Sequence, residues 1–199
     1  TLKLSLIDIN TLCNLAIEAA KTAGALISSY QNKPVKVLKK NTGASYASQV
    51  VTEVDFKSQE LILKILKPSI HQFDLAILSE EIPDTKARLK KDYFWCIDPL
   101  DGTLPFTEGL PGYAVSIALI ALNGEPQIGV VYDPANHNLY HAIKDKGAYR
   151  NNIKWHLPTS SKNKSFQFYY NRSFKSLGHF ENVKEALNKI AIKKFTTTL

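Results

Sequence analysis

One stretch constrains this 199-residue chain more than any other: Trp95-Cys96-Ile97-Asp98-Pro99-Leu100-Asp101-Gly102-Thr103. The apolar, aromatic run from Tyr93 to Ile97 predicts a buried strand, and it stops abruptly at two aspartates that bracket a proline. A strand running into a tight acidic turn suits a divalent cation. Asp98 and Asp101 supply hard oxygen ligands, and the turn exposes backbone carbonyls. Gly102 and Thr103, just beyond, can present backbone N–H groups to an anion. Adjacent cation and anion sites point to phosphate ester chemistry.

The rest of the chain must build a core around this stretch, and it is long enough to do so. The length fits one large domain, or one domain and part of another. No apolar run is long enough to span a membrane, and Thr1 to Asn10 lacks the basic-then-apolar order of a signal peptide. Cys13 and Cys96 have no metal-ligand spacing and read as reduced core thiols, which points to the cytoplasm. The net charge is +7, but the basic residues are scattered, as Lys39-Lys40, Lys90-Lys91, Lys162 to Lys164 and Lys193-Lys194. They read as a solvated surface, so neither nucleic acid nor membrane is an expected partner. The chain holds no methionine, which fits a processed or trimmed product.

Apolar residues at three- and four-residue steps predict a helix from Ile9 to Tyr30, stopped by Pro34. Lys36 to Gln49 reads as a polar, mobile loop. Thr52-Glu53-Val54-Asp55 has the form of a capping box, and the helix behind it is expected to end before Pro68. Leu75 to Leu78 reads as a short strand, Asp84 to Asp92 as a charged loop, and a short helix or turn is expected after Thr103. Tyr113 to Leu122 and Gln127 to Tyr132 form a hairpin around Asn123-Gly124, and Leu139 to Ile143 pairs with Ala148 to Arg150. Leu157 to Ser165 is a polar linker. Beyond it come a strand from Phe166 to Tyr170, a helix marked by Phe180, Val183, Leu187 and Ile190, and a new strand from Phe195. The pattern predicts a layered mixed α/β protein with a domain over 1–156 and the beginning of a second over 157–199.

Three acidic features follow or open these elements: Asp55, Glu80-Glu81 and the Asp98/Asp101 pair. Each has a plain structural explanation. Asp55 caps a helix, Glu80-Glu81 lies in a solvated loop, and Asp101-Gly102 makes a turn. Together they say more. If the strands before Glu80 and before Asp98 are parallel neighbours, their carboxylate-bearing ends lie side by side, at the sheet edge where sites collect in open α/β architectures. The five histidines, Ser79 and Cys96 show no nucleophile–base arrangement and read as surface or satisfied groups.

Trp95 to Thr103 resembles the W-x-x-D-P-[IL]-D-G-T signature of the inositol monophosphatase family. Val51-Thr52-Glu53-Val54-Asp55 resembles the family's T-x-x-D segment, and Glu80-Glu81 its E-E pair after a strand. Tyr113 to Ala118, Gly129 to Tyr132 and Lys146 to Tyr149 match further segments. The resemblance implies a layered αβαβα sandwich of the inositol monophosphatase and fructose-1,6-bisphosphatase type. It also implies a lithium-sensitive phosphomonoesterase that uses two or three Mg2+ ions on a small phosphate ester, with a homodimer as a compatible assembly. By the same resemblance, Glu80, Asp98, Leu100 (through its carbonyl) and Asp101 would hold the metal. Glu80 and Thr103 would orient and activate the attacking water, and Asp55 would support Thr103. Asp101, Gly102 and Thr103 would bind the substrate, with the Gly102 and Thr103 N–H groups on its phosphate.

Two departures stand out. The family's later W-D-x-[AS] segment has no counterpart at Trp95 or Trp155, so the second domain is expected to be incomplete at Leu199. Leu104-Pro105-Phe106 replaces the x-N-F or K-E-F of family branches. Leu78 to Glu81 and Asp98 to Asp101 look like the branch that acts on adenosine 3′,5′-bisphosphate, whereas Ala114 to Ile117 looks like the inositol phosphatases. The two substrates therefore stay open, with a sugar bisphosphate as a third. A non-catalytic relative that keeps the fold and binds phosphate ligands is the alternative.

Overall fold

The computed structural model describes residues 3–39, 50–156, 166–170, 174, 178, 180–189 and 192–197. The chain divides into two compact units, Thr1–Trp155 and His156–Leu199.

The first unit is a seven-stranded sheet with two helices on it. Helix α1 (Leu6–Ser29) is started by a reciprocal cap, in which Ser5 Oγ accepts from the Asp8 N–H and Asp8 accepts from the Ser5 N–H. Its buried stripe is built largely from small residues, Ala16, Ala19, Ala20, Ala23 and Gly24, so the helix lies close against the sheet. A Cβ at Gly24 would sit 2.4 Å from the Tyr132 ring. Gly24→Ala should therefore destabilise the protein. The overpacking penalty of ~1–3 kcal/mol outweighs the ~1 kcal/mol that alanine gains in helix propensity. An unchanged midpoint in urea denaturation would contradict this.

After α1 come β1 (Val37–Lys39) and β2 (Val50–Thr52), an antiparallel pair. The expected loop from Lys36 thus begins as a strand, and residues 40–49 lie outside the described residues. Helix α2 (Glu53–Gln72) starts at the expected capping box of Thr52 and Asp55. It does not end before Pro68 but runs four residues past it. Packing overrides the proline here. Ser69 is buried and its Oγ accepts the indole N–H of the fully buried Trp95 at 3.0 Å, which ties the last turn to the core.

The sheet order is β3 (Ala76–Ser79), β4 (Tyr93–Asp101), β5 (Ala114–Ala121), β6 (Pro126–Asp133), β7 (Asn138–Ile143), β8 (Gly147–Arg150) and β9 (Ile153–Trp155). Only the β3–β4 pair is parallel; the others form an antiparallel meander. The expected strands and hairpins are present, with β3 shifted by one residue. Strand β9 was not foreseen: its residues are all exposed, so it carries no alternation of buried and exposed positions. Between β3 and β4 the charged loop holds a short 3-10 helix, Ala87–Leu89. Helix α3 (Thr103–Thr107) follows β4 and accommodates Pro105, because a first-turn residue has no helical N–H bond to lose.

In the second unit β10 (Phe166–Tyr170) pairs in parallel with β11 (Ile192–Thr197), and α4 (Phe180–Lys189) lies between them in sequence. The last strand begins three residues before the expected Phe195. The predicted linker over 157–165, together with Ile190, lies outside the described residues. Among the described residues no helix is long and apolar enough to cross a membrane.

Candidate active site

The parallel pairing of β3 with β4 sets the site. Leu78 faces Cys96 and Ser79 faces Ile97, and the Glu80 N–H continues the ladder by donating to the Ile97 carbonyl at 3.2 Å. The next residue on each strand, Glu80 and Asp98, therefore carries its carboxylate at the same sheet edge. This is the side-by-side arrangement expected from the sequence.

The acidic stretch itself differs from the tight turn expected. Strand β4 does not stop at Ile97 but runs on to Asp101. Asp98 pairs with Ser116 and Asp101 with Ala114, so three steps on β4 meet two on β5 and the strand bulges. The physical cause is Pro99, which has no N–H to give the ladder. Within the bulge Leu100 donates its N–H to Asp98 Oδ1 at 3.2 Å, and the Glu80 charge reaches both aspartates. The true turn comes one residue later, at Gly102, whose φ of +86° leads into α3.

Asp55 hydrogen-bonds both to its own helix start and to Thr103. Its Oδ2 accepts from the Thr52 N–H at 2.8 Å and the Thr52 hydroxyl at 2.6 Å, which caps α2. Its Oδ1 lies 2.9 Å from the Thr103 hydroxyl. That hydroxyl also lies 3.1 Å from the Leu100 carbonyl, and its single proton goes to the closer acceptor, Asp55 Oδ1. The Thr103 oxygen thus keeps lone pairs for another donor.

Electrostatics mark the same group. Burial pushes Asp98 up to about 8, helped by the Glu80 and Asp101 charges and by a hydrogen bond in which Asp98, as the acid, donates to Glu80. Asp101 is exposed as a residue, yet partial desolvation of its carboxylate and then the Glu80 charge raise its pKa. Burial also raises Asp55. Among the described residues no three His, Cys, Asp or Glu side chains already converge as a metal cage. Instead Glu80 lies within hydrogen-bond reach of Asp98, with Asp101 close enough to perturb it. A set of close carboxyl groups with an adjacent carbonyl is a fitting donor set for a hard divalent cation, which would displace the Asp98 proton. The donors available are Glu80, Asp98, Asp101 and the Leu100 carbonyl.

Cys13 is buried and its thiol is pushed up to about 11, so it is no nucleophile. Half-buried His141 stacks on Tyr149 and hydrogen-bonds Asn152, and only its Nε2 has no hydrogen-bond partner among the described residues. Ser58 and Gln59, the next buried polar residues on α2 after Asp55, are not singled out by any local sequence motif. Their signal was a run of polar side chains at helical spacing on the face that also carries Ile62 and Leu66.

A sequence profile of the inositol monophosphatase family matches residues 8–195. The Nus factor SuhB of Pasteurella multocida (strain Pm70) is 36% identical over 145 residues, which cover 73% of this chain and 52% of that protein. The inositol-1-monophosphatase of Synechocystis sp. is 36% identical over 141 residues, covering 71% of this chain and 46% of that protein. The chain spans about half the length of these curated relatives. The solved IMPase of Thermotoga maritima shares the fold with a TM-score of 0.73 at 26% identity, covering 92% of this chain and 66% of that one.

Proposed function

This chain belongs to the inositol monophosphatase family, and on that premise we propose that it serves as a divalent-cation-dependent phosphomonoesterase acting on a small phosphate ester. The observation that carries this reading is the Glu80–Asp98 pair at the ends of two parallel strands, with Asp101 beside it and the Asp55–Thr103 hydrogen bond behind it.

Glu80, Asp98, Asp101 and the Leu100 carbonyl are the residues that would hold Mg2+, as two or three ions. When bound, the ions supply positive charge to the phosphate oxygens and lower the pKa of water. The Thr103 hydroxyl, its proton committed to Asp55, accepts from the attacking water and fixes its direction. Glu80, at the end of the neighbouring strand, accepts the water's proton. Asp101, Gly102 and the Thr103 backbone face the phosphate. Catalysis is then mainly positioning and electrostatics, with no covalent enzyme intermediate.

Thr103→Ala should lower kcat by ~10²-fold with little change in KM, because the hydroxyl acts on the water, and Thr103→Ser should restore most of the rate. A raised KM at unchanged kcat would contradict that role.

The cation is also expected to compete with protons. Asp98 is pushed up to about 8 in the fold, against 3.8 for a free aspartate, so the cation-free protein holds an extra proton between those values. Its stability without cations should therefore fall as pH rises through that window. Below about 8 the cation held by Asp98 must displace its proton, so apparent Mg2+ affinity should weaken as pH falls, by up to about tenfold per pH unit. Calorimetric titrations at several pH values check this; a flat affinity between pH 6 and 9 would contradict it.

The name of the Synechocystis relative supports inositol 1-phosphate as a substrate to test beside adenosine 3′,5′-bisphosphate and a sugar bisphosphate. A second, non-catalytic reading is favoured by the SuhB relative, which is named a Nus factor. Phosphate release from the three esters by the full chain, with Mg2+ and with added lithium, separates the readings. Release that lithium suppresses supports the phosphatase. No release from any of them supports the second reading.

A further inference from the structure

Asp55, Ser58 and Gln59 fall at i, i+3 and i+4 of α2 and so share one face of the helix. All three are polar, yet they are only 1%, 0% and 6% exposed. Buried polar side chains are costly unless paired. Here each pairs with a different segment of the candidate site. Asp55 takes the Thr103 hydroxyl, as described. Ser58 Oγ donates to the Pro99 carbonyl at 2.8 Å, across 41 residues of sequence. Gln59 Oε1 accepts from Ser79 Oγ at 2.5 Å.

The two latter bonds land on the residues that neighbour the carboxylates. Pro99 is the bulge residue between Asp98 and Leu100, and neither Pro99 nor Leu100 has a partner residue on β5. Ser58 supplies a donor to a carbonyl that the interrupted ladder leaves without one. Ser79 is the last residue of β3, directly before Glu80. Ser58 and Gln59 are consecutive on a rigid helix, so the distance between their two anchor points is set by helix geometry.

Building on the cation-dependent reading above, we propose that Ser58 and Gln59 are positioning residues that fix the spacing of Glu80 against the Asp98–Asp101 bulge. Helix α2 is then the template of the cation site. It holds the Glu80 strand end through Gln59, the bulge through Ser58 and the Thr103 turn through Asp55. The two residues touch neither substrate nor cation and act through Ser79 and Pro99.

Mn2+ binding to the full chain, followed by the spin-resonance signal of the free ion, tests this. Ser58→Ala and Gln59→Leu should each weaken Mn2+ affinity by ~10–100-fold, the usual effect of removing an outer partner of a metal site. Ser79→Ala, a milder change, removes the Gln59 bond from the strand side and should give the same fall. Ser58→Thr, which keeps the hydroxyl, should recover most of the affinity. Ser69→Ala is the control: it lies on the same helix and breaks a comparably buried bond to Trp95. It should lower thermal stability while leaving Mn2+ affinity unchanged. If the wild type fails to bind Mn2+, the cation-dependent reading itself falls. If the wild type binds and the Ser58, Gln59 and Ser79 variants bind equally well, or Ser69→Ala weakens binding as much as they do, the positioning role is overturned.

Discussion

Asp98→Asn is expected to lower turnover by ~10³-fold or more, with no loss of stability in the cation-free protein. Both halves follow from the position of Asp98 in the bulge. It stands between Glu80 and Asp101, and its own burial and their charges raise it to about 8. Its ionised form is therefore unfavourable in the fold unless a cation faces it. The amide is nearly isosteric, can still donate to Glu80, and carries no charge to repel its neighbours. The variant should thus keep its melting temperature in EDTA, or exceed that of the wild type at pH 8.5, where the wild-type carboxyl is mostly ionised. What it loses is the central ligand. Added Mg2+ should stabilise it far less than the wild type. Wild-type turnover, or a melting temperature many degrees lower in EDTA, would contradict this account.

Gly102→Ala should be the most damaging glycine substitution near the site. Its φ of +86° costs any L side chain ~1–2 kcal/mol. A Cβ there would also lie 2.5 Å from the Gly112 carbonyl oxygen and 3.0 Å from the Tyr113 Cα. Both contacts are backbone, so no side chain can swing aside, and relief requires the chain to move at a further ~1–3 kcal/mol. The sum, ~2–5 kcal/mol, is a large part of the ~5–15 kcal/mol that holds a typical domain. The movement would fall on Asp101 and Thr103, the flanking residues, so activity should drop together with stability. A loss below ~0.5 kcal/mol by urea denaturation would show that the turn relaxes freely.

The sequence made the outline of this site readable for particular reasons. Thr52 and Asp55 sit at the three-residue spacing of a capping box, a local motif that needs no tertiary knowledge. Two apolar runs that each end in carboxylates imply a shared edge once they are parallel, and β3 and β4 are. Other features depended on distant partners and were not legible. The strand continues through Asp98 and Asp101 only because β5 pairs with it on both sides of the bulge. Helix α2 continues past Pro68 because Ser69 meets Trp95 across 26 residues. Ser58 and Gln59 look like ordinary helix-surface residues until their partners at Pro99 and Ser79 are known. Strand β9 has an entirely exposed pattern and gains its identity only from pairing with β8.

The central claim is that Glu80, Asp98 and Asp101 form one cation site. Its most direct test is Mn2+ binding at pH 8.5 to the wild-type chain and to Asp98→Asn. The account predicts saturable binding by the wild type, relieved by excess Mg2+, and its loss in the variant. Mn2+ binding of equal strength in both proteins would contradict it.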